Sequence, residues 1–222
     1  MTGGDVMKKT LYSLMLNDDV VREVDLLAHN RGTNRSYLIN QILAEYVSVT
    51  TPEQRINEIF SAIEELVAPS RELVPFFAPS GATMSLKSSL EYKYRPTVKY
   101  EVELFRSGED TLGELSVVFR TQSAALIRDM TAFFRLWKQI EDKHLAPLLP
   151  SPADYALYDG KFVRSIAVPE GRDCTAEDLA GAISDYIMFF DSLLKGFLCG
   201  RLSAVDVEKK YRSGLKDRDL LI

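Results

Sequence analysis

Over residues 11–16 the chain alternates with period two, Tyr12, Leu14 and Leu16 on one face and Leu11, Ser13 and Met15 on the other, which predicts a strand. The period then becomes helical. Asn17 is placed to cap a helix whose first turn carries Asp18 and Asp19, where the positive end of the helix dipole favours carboxylates. Val20, Val24, Leu27 and Ala28 follow at helical spacing, and Gly32 in "HNRG" suits the left-handed conformation that ends many helices. Thr33 or Asn34 then opens a second helix with Leu38, Ile39, Ile42, Leu43, Tyr46 and Val47 apolar, a stripe wide enough for more than one neighbour. A strand and two short helices are too little to close a core, and a domain of roughly 40 residues usually needs a metal, a disulfide or a partner chain. The segment has no cysteine and only His29, so the pattern points to a partner chain. The lone strand, unpaired on both edges, asks for the same thing.

Beyond Val49, "TPEQRINEIFSAIEELV" reads as a helix with Thr51 as cap, Pro52 in the first turn and Ile56, Ile59, Phe60, Ile63 and Val67 on its apolar face. The Pro-rich run "APSRELVPFFAPSGAT" is expected to interrupt regular structure. Three strands are predicted next. "MSLKSSLEYKYR" sets Met84, Leu86, Leu90, Tyr92 and Tyr94 on one face, "TVKYEVELF" sets Val98, Tyr100, Val102 and Leu104 against Lys99, Glu101 and Glu103, and "GELSVVFR" follows. Such alternation means an antiparallel sheet with one wet face. A long helix is expected from Gln122 to His144, then a hairpin turning at Asp159-Gly160, a helix capped by Thr175, and a short helix capped by Ser203. From Pro52 the order is α-βββ-α-ββ-α, which is not a series of crossover units and argues for an α+β fold. The expected division is 1–50, a small domain; 51–83, a helix and Pro-rich connection; and 84–222, an α+β domain.

With 222 residues, 46% of them hydrophobic, the chain has room for a sizeable second core. No stretch approaches the roughly 18 to 20 continuous apolar residues of a membrane span, and "MTGGDVMKKT" lacks a signal-peptide apolar core, so a cytoplasmic protein is expected. Cys174 and Cys199 are then expected to be reduced, and with only two histidines in the chain zinc is not expected. The sequence has no phosphate-binding glycine loop, dinucleotide fingerprint, zinc-protease helix or nucleophile elbow, so no catalytic residue, metal or cofactor is assigned. Glu101 and Glu103, beside Lys99 on the wet face, read as solvated charges rather than a catalytic pair. His29 and His144 each lie near a helix end and complement its dipole. Met130, Phe133, Phe134 and Trp137 read as core rather than as the lining of a ligand pocket.

The order in "KKTLYSLMLNDDVVREVDLLAHNRGTNRSYLINQILAEYV" (basic start, strand, capped helix, Gly turn, "NRS", second apolar helix) resembles the ribbon-helix-helix family, the Arc/MetJ/CopG type of small dimeric DNA-binding proteins. The resemblance implies that two chains exchange strands into one antiparallel ribbon, over intertwined helices, and that the ribbon enters the major groove. Carried over, the base-reading positions are Leu11, Ser13 and Met15. The phosphate-contacting positions are Lys8, Lys9, Asn34, Arg35 and Ser36, the last three at a helix start whose backbone N–H groups can hold a phosphate. Here the chain departs from the family, because only Ser13 of the ribbon positions can hydrogen-bond a base edge, while Leu and Met offer apolar contact to a thymine methyl. "YALYDGKFVRSIAVPEGRDCTAEDLAGAI" in turn looks like the type III secretion chaperone-like or YbjN-like fold, which implies a protein-binding, dimerising module without catalytic machinery.

Charge changes this picture only in degree. The chain holds 27 Lys and Arg against 32 Asp and Glu, and residues 1–50 hold five basic and six acidic side chains. Phosphate neutralisation supplies most non-specific DNA affinity, so weak non-specific binding is expected. Lys8, Lys9 and Arg35 nevertheless gather on the expected face. Two functions fit these features. One is a homodimeric transcriptional repressor binding a palindromic operator in double-stranded DNA, with a C-terminal α+β domain for a small effector, a protein partner or assembly. The other is an interaction module of the same fold that has lost DNA reading.

Overall fold

The computed structural model describes residues 10–70, 72–77, 81–91, 95–106, 111–167, 174–216 and 220–222. The chain divides into two compact units, Met1–Arg55 and Ile56–Ile222.

In the first unit α1 spans Asp18–Asn30 and α2 spans Arg35–Tyr46. Asn17 caps α1, its side-chain oxygen accepting the Asp19 N–H at 2.9 Å, and Gly32 turns the chain at φ +63°. Asn34, rather than Thr33, caps α2, accepting the Tyr37 N–H at 2.9 Å. The expected strand is not formed by residues 10–17. A ladder needs a second strand, and among the described residues none pairs with this segment. The hairpin buries Ala28, Leu38 and Ala44, while Val20, Leu27, Ile42, Leu43, Tyr46 and Val47, read from the sequence as core stripe, stay exposed.

In the second unit α3, Pro52–Val67, begins within the first and turns Ile56, Ile59, Phe60, Ile63 and Val67 into the core. Six strands follow the order β1-β2-β3-β4-β6-β5, every neighbouring pair antiparallel: β1 Leu73–Phe77, β2 Thr83–Ser89, β3 Thr97–Leu104, β4 Thr111–Phe119, β5 Tyr155–Tyr158 and β6 Lys161–Ala167. β1 corrects the expectation of irregular structure in the Pro-rich run. Pro75 is tolerated there because β1 lies at the sheet edge, where one side of the strand needs no donor. The order is therefore α-ββββ-α-ββ-α-α, with α4 at Ala124–His144, α5 at Ala176–Leu198 and α6 at Ala204–Lys216. Tyr92 and Tyr94 lie outside the described residues. Gly113 marks a register shift in β4, where a Cβ would stand 2.0 Å from the main-chain oxygen of Glu103. No larger residue fits that approach.

Helices cover one face of this sheet. Met130, Phe133, Phe134 and Trp137 of α4 are all buried in the core. Phe134 stacks on Phe162 of β6 at 5.1 Å, and Tyr100 of β3 meets Phe190 of α5 edge-on at 6.0 Å. Such pairs add about 0.5–1.5 kcal/mol beyond their area burial.

Two polar clusters interrupt that core. Glu141 of α4 and Arg164 of β6 are fully buried and paired at 3.0 Å. One Glu141 oxygen also accepts the Tyr155 hydroxyl at 2.7 Å, and the other accepts the Tyr211 hydroxyl at 3.2 Å. Arg164 further donates to the main-chain oxygens of Ser165 and Ile222 and lies over the Tyr186 ring at 4.6 Å. Burial, and then the Glu141 charge, push the Tyr155 and Tyr186 hydroxyls well above the usual tyrosine range. Both stay neutral, Tyr155 donating to Glu141 and the Tyr186 oxygen accepting the Trp137 indole N–H at 2.8 Å. In the second cluster Asp191 of α5 accepts the Ser88 hydroxyl at 3.0 Å and the Tyr100 hydroxyl at 2.8 Å, and pairs with Lys195 at 2.7 Å.

Removing half of a buried ion pair strands the other half, at a cost of about 3–5 kcal/mol. Glu141→Ala should lower stability by about that amount, read as the urea midpoint of the native chain against the variant. At the surface Lys143 and His144 of α4 each reach Glu208 of α6 at 2.8 Å. Hydrogen bonds from Lys143 and then His144 draw Glu208 from 4.5 down to about 2. Because the folded value is the lower one, this contribution is whole above pH 4.5 and fades as the pH falls toward about 2. Glu208→Gln should therefore lose less stability than the native chain across that interval in denaturant titrations at stepped pH.

Candidate nucleic-acid interface

The candidate site is built on the first unit. Leu11, Ser13 and Met15 are exposed, Leu11 and Met15 completely, and so are Tyr12 and Leu14. An exposed apolar run of this kind is uncommon on a finished monomer. Lys8 and Lys9 lie outside the described residues.

The start of α2 gathers Asn34, Arg35 and Ser36. The Asn34 side chain takes the Tyr37 N–H, so it serves as a helix cap. The first-turn N–H groups of Arg35 and Ser36 precede any intrahelical partner and point out of the helix end. Ser36 is exposed. Arg35 makes a two-pronged pair with Asp25 of α1, its Nε at 2.5 Å from one carboxylate oxygen and its Nη2 on the other. Hydrogen bonding from Arg35 holds the Asp25 carboxyl below the usual carboxylate range, and the same interaction raises Arg35. Both side chains are about half exposed, at 50% and 46%. Water screens a pair this exposed and leaves it little net strength, so a phosphate can take the guanidinium from Asp25 at small cost.

Elsewhere, Lys99 pairs with Glu101 at 2.7 Å on the wet side of the sheet, as solvated charges do. Neither Cys174 nor Cys199 forms a disulfide. Among the described residues no three His, Cys, Asp or Glu side chains converge as metal ligands would, and no helix is long and apolar enough to cross a membrane. The buried Glu141, Arg164 and Asp191 were not singled out by sequence reasoning, although a signal exists. Arg164 sits at period two between Phe162 and Ile166, and Glu141 follows Trp137 by one helical turn, so each polar residue occupies an inward position.

Compared with known proteins, the chain matches no family model, no curated protein and no solved structure.

The cap at the start of α2 has a measurable consequence. Replacing such a cap by alanine costs about 1 kcal/mol, and α2 has few buried side chains to offset it. Asn34→Ala should lower helix content in circular dichroism at moderate temperature while leaving the main melting transition of the second unit in place.

Proposed function

We propose that the chain is a sequence-specific DNA-binding transcriptional regulator, a repressor, acting in the cytoplasm as a homodimer through a ribbon-helix-helix N-terminal domain. The observation that carries this reading is the unfinished first unit. Two correctly capped helices around Gly32 leave Leu43, Tyr46 and Val47 exposed, and the segment before them exposes Leu11, Tyr12, Leu14 and Met15. In this reading residues 11–16 of two copies pair as a ribbon, the helix stripes bury one another, and the apolar surface disappears. Leu11, Ser13 and Met15 then face the major groove, with thymine methyls suited to the two apolar side chains. The N–H groups at the start of α2, with Arg35, Ser36, Lys8 and Lys9, hold the flanking phosphates. The second unit serves sensing or assembly.

A second reading, an interaction module that keeps the pairing and has lost DNA reading, draws support from the Arg35–Asp25 pair and from the apolar side chains at two of the three ribbon positions.

Selection of the full chain from a randomised duplex pool, followed by affinity against salt, tests both. The expected result is an enriched palindrome, loss of dimer and of binding in Leu43→Asp, and a shallower salt dependence in Arg35→Ala. The slope should fall by about 0.9 for each phosphate that the protein no longer neutralises. Ser13→Ala should change the enriched sequence. No enriched sequence for the native chain, together with tighter DNA binding by Met15→Arg, would overturn the DNA-reading function in favour of the interaction module.

A further inference from the structure

We infer that β5, one edge of the six-stranded sheet, pairs with β5 of a second copy across a two-fold axis at Ala156, joining two sheets into one. The register fixes which main-chain groups β5 leaves open. Phe119 N–H donates to the Gly160 oxygen, so Phe162 and Arg164 of β6 bond toward β4. Ser165 N–H donates to the Asp154 oxygen, so Lys161, Val163 and Ser165 bond toward β5. Hydrogen bonding alternates along an antiparallel strand, and Asp154, Ala156 and Tyr158 are the residues that answer them. The N–H and C=O groups of Tyr155 and Leu157 therefore point out of the sheet, with no partner among the described residues.

The other edge is built differently. Leu104 N–H donates to the Ala82 oxygen and Leu90 N–H to the Pro96 oxygen, so the same alternation turns the main chain of Val74 and Phe76 toward β2. Leu73, Pro75 and Phe77 are left facing outward. Pro75, in the middle of that outward set, has no N–H and stops a further strand from adding. In β5, by contrast, Tyr155, Ala156, Leu157 and Tyr158 include neither a proline nor a charge, and Leu157 and Tyr158 are exposed. Only the shortness of β5 restrains pairing there.

A second copy fits this edge better than a loose peptide. A disordered segment loses backbone entropy on ordering, more than the exposed hydrogen bonds of so short a strand return. The β5 of another copy is already ordered, held by the Tyr155 hydroxyl on Glu141 at 2.7 Å and by Asp154 N–H on the Ser165 hydroxyl at 2.8 Å. Setting Tyr155 opposite the second copy's Leu157, and Leu157 opposite its Tyr155, satisfies every open group of both strands, because each such pair exchanges two hydrogen bonds. The axis then passes between the two Ala156 residues, a non-hydrogen-bonded pair with Cα atoms about 4.5 Å apart, and alanine does not obstruct that approach. Tyr158 stands opposite the second copy's exposed Asp154 and has Lys161 on its other side, so the charges flanking the seam are of opposite sign. The contact is small, and the dimer is therefore populated only at high concentration. It is independent of the pairing proposed for the N-terminal segment.

Sedimentation velocity on full-length chains tests it, with Leu43→Asp present throughout so that N-terminal pairing does not contribute. Dimer should build up as the chain concentration rises toward about 1 mM, the weak range that suits so short a contact. Leu157→Pro takes away an outward N–H and no bond within the sheet, and should weaken the dimer at least about tenfold. Ala156→Lys and Ala156→Glu should each give a folded monomer by setting like charges on the axis, and their equimolar mixture should dimerise, a gain that misfolding cannot produce. The axial separation lies within disulfide range, so on mild oxidation the Ala156→Cys chain should link to itself at position 156 faster than the exposed Cys199 links by collision. A chain that stays monomeric, or a dimer indifferent to Leu157→Pro, would overturn the β5 pairing and leave the N-terminal reading standing. A Lys–Glu mixture that associates no better than either chain alone, or an Ala156→Cys chain that links no faster than Cys199, would overturn it as well.

Discussion

The buried ion pair between Glu141 and Arg164 is the interaction on which the larger unit most depends. Arg164 is presented by the sheet and Glu141 by the helix across it, and the pair reaches Tyr155 in β5, Tyr211 in α6 and the main chain at Ile222. Burial alone works against the charge of Arg164, and Glu141, with the surrounding tyrosines, more than restores it. A pair of this kind adds little net stability, because desolvation offsets most of the attraction. Its effect is on specificity. An apolar core could shift α6 by a turn, whereas a buried carboxylate that must keep its donors holds α4, β5, β6 and α6 to one arrangement.

The opposite situation holds in the first unit. There the polar requirements at the helix ends are met locally, by Asn17 and Asn34, and the apolar requirement is met only at Ala28, Leu38 and Ala44. One unit thus buries most of its apolar side chains, and the other leaves most of its own exposed. The Arg35–Asp25 pair, half exposed on both sides, belongs to this surface rather than to a core. The association proposed for the N-terminal segment rests on this exposed apolar surface.

What the sequence by itself determined is whatever depends on residues a few positions apart. The caps at Asn17, Thr51 and Thr175, the turn at Gly32 and the Asp159-Gly160 hairpin all stand where the pattern put them, because capping and turn formation are local. The α+β class and the antiparallel sheet were legible in the same way, through periods of two and of 3.6. Only tertiary structure decided which period became a strand. Residues 11–16 alternate and lack a ladder in the single chain, whereas the Pro-rich Leu73–Phe77 does not read as a strand and pairs with β2 as one. Hydrogen bonding to a neighbouring strand makes a strand, and that neighbour is set by the fold of the whole chain rather than by the residues themselves. The same reason kept the partners of Arg164, Glu141 and Asp191 out of a linear reading, since each lies distant along the chain.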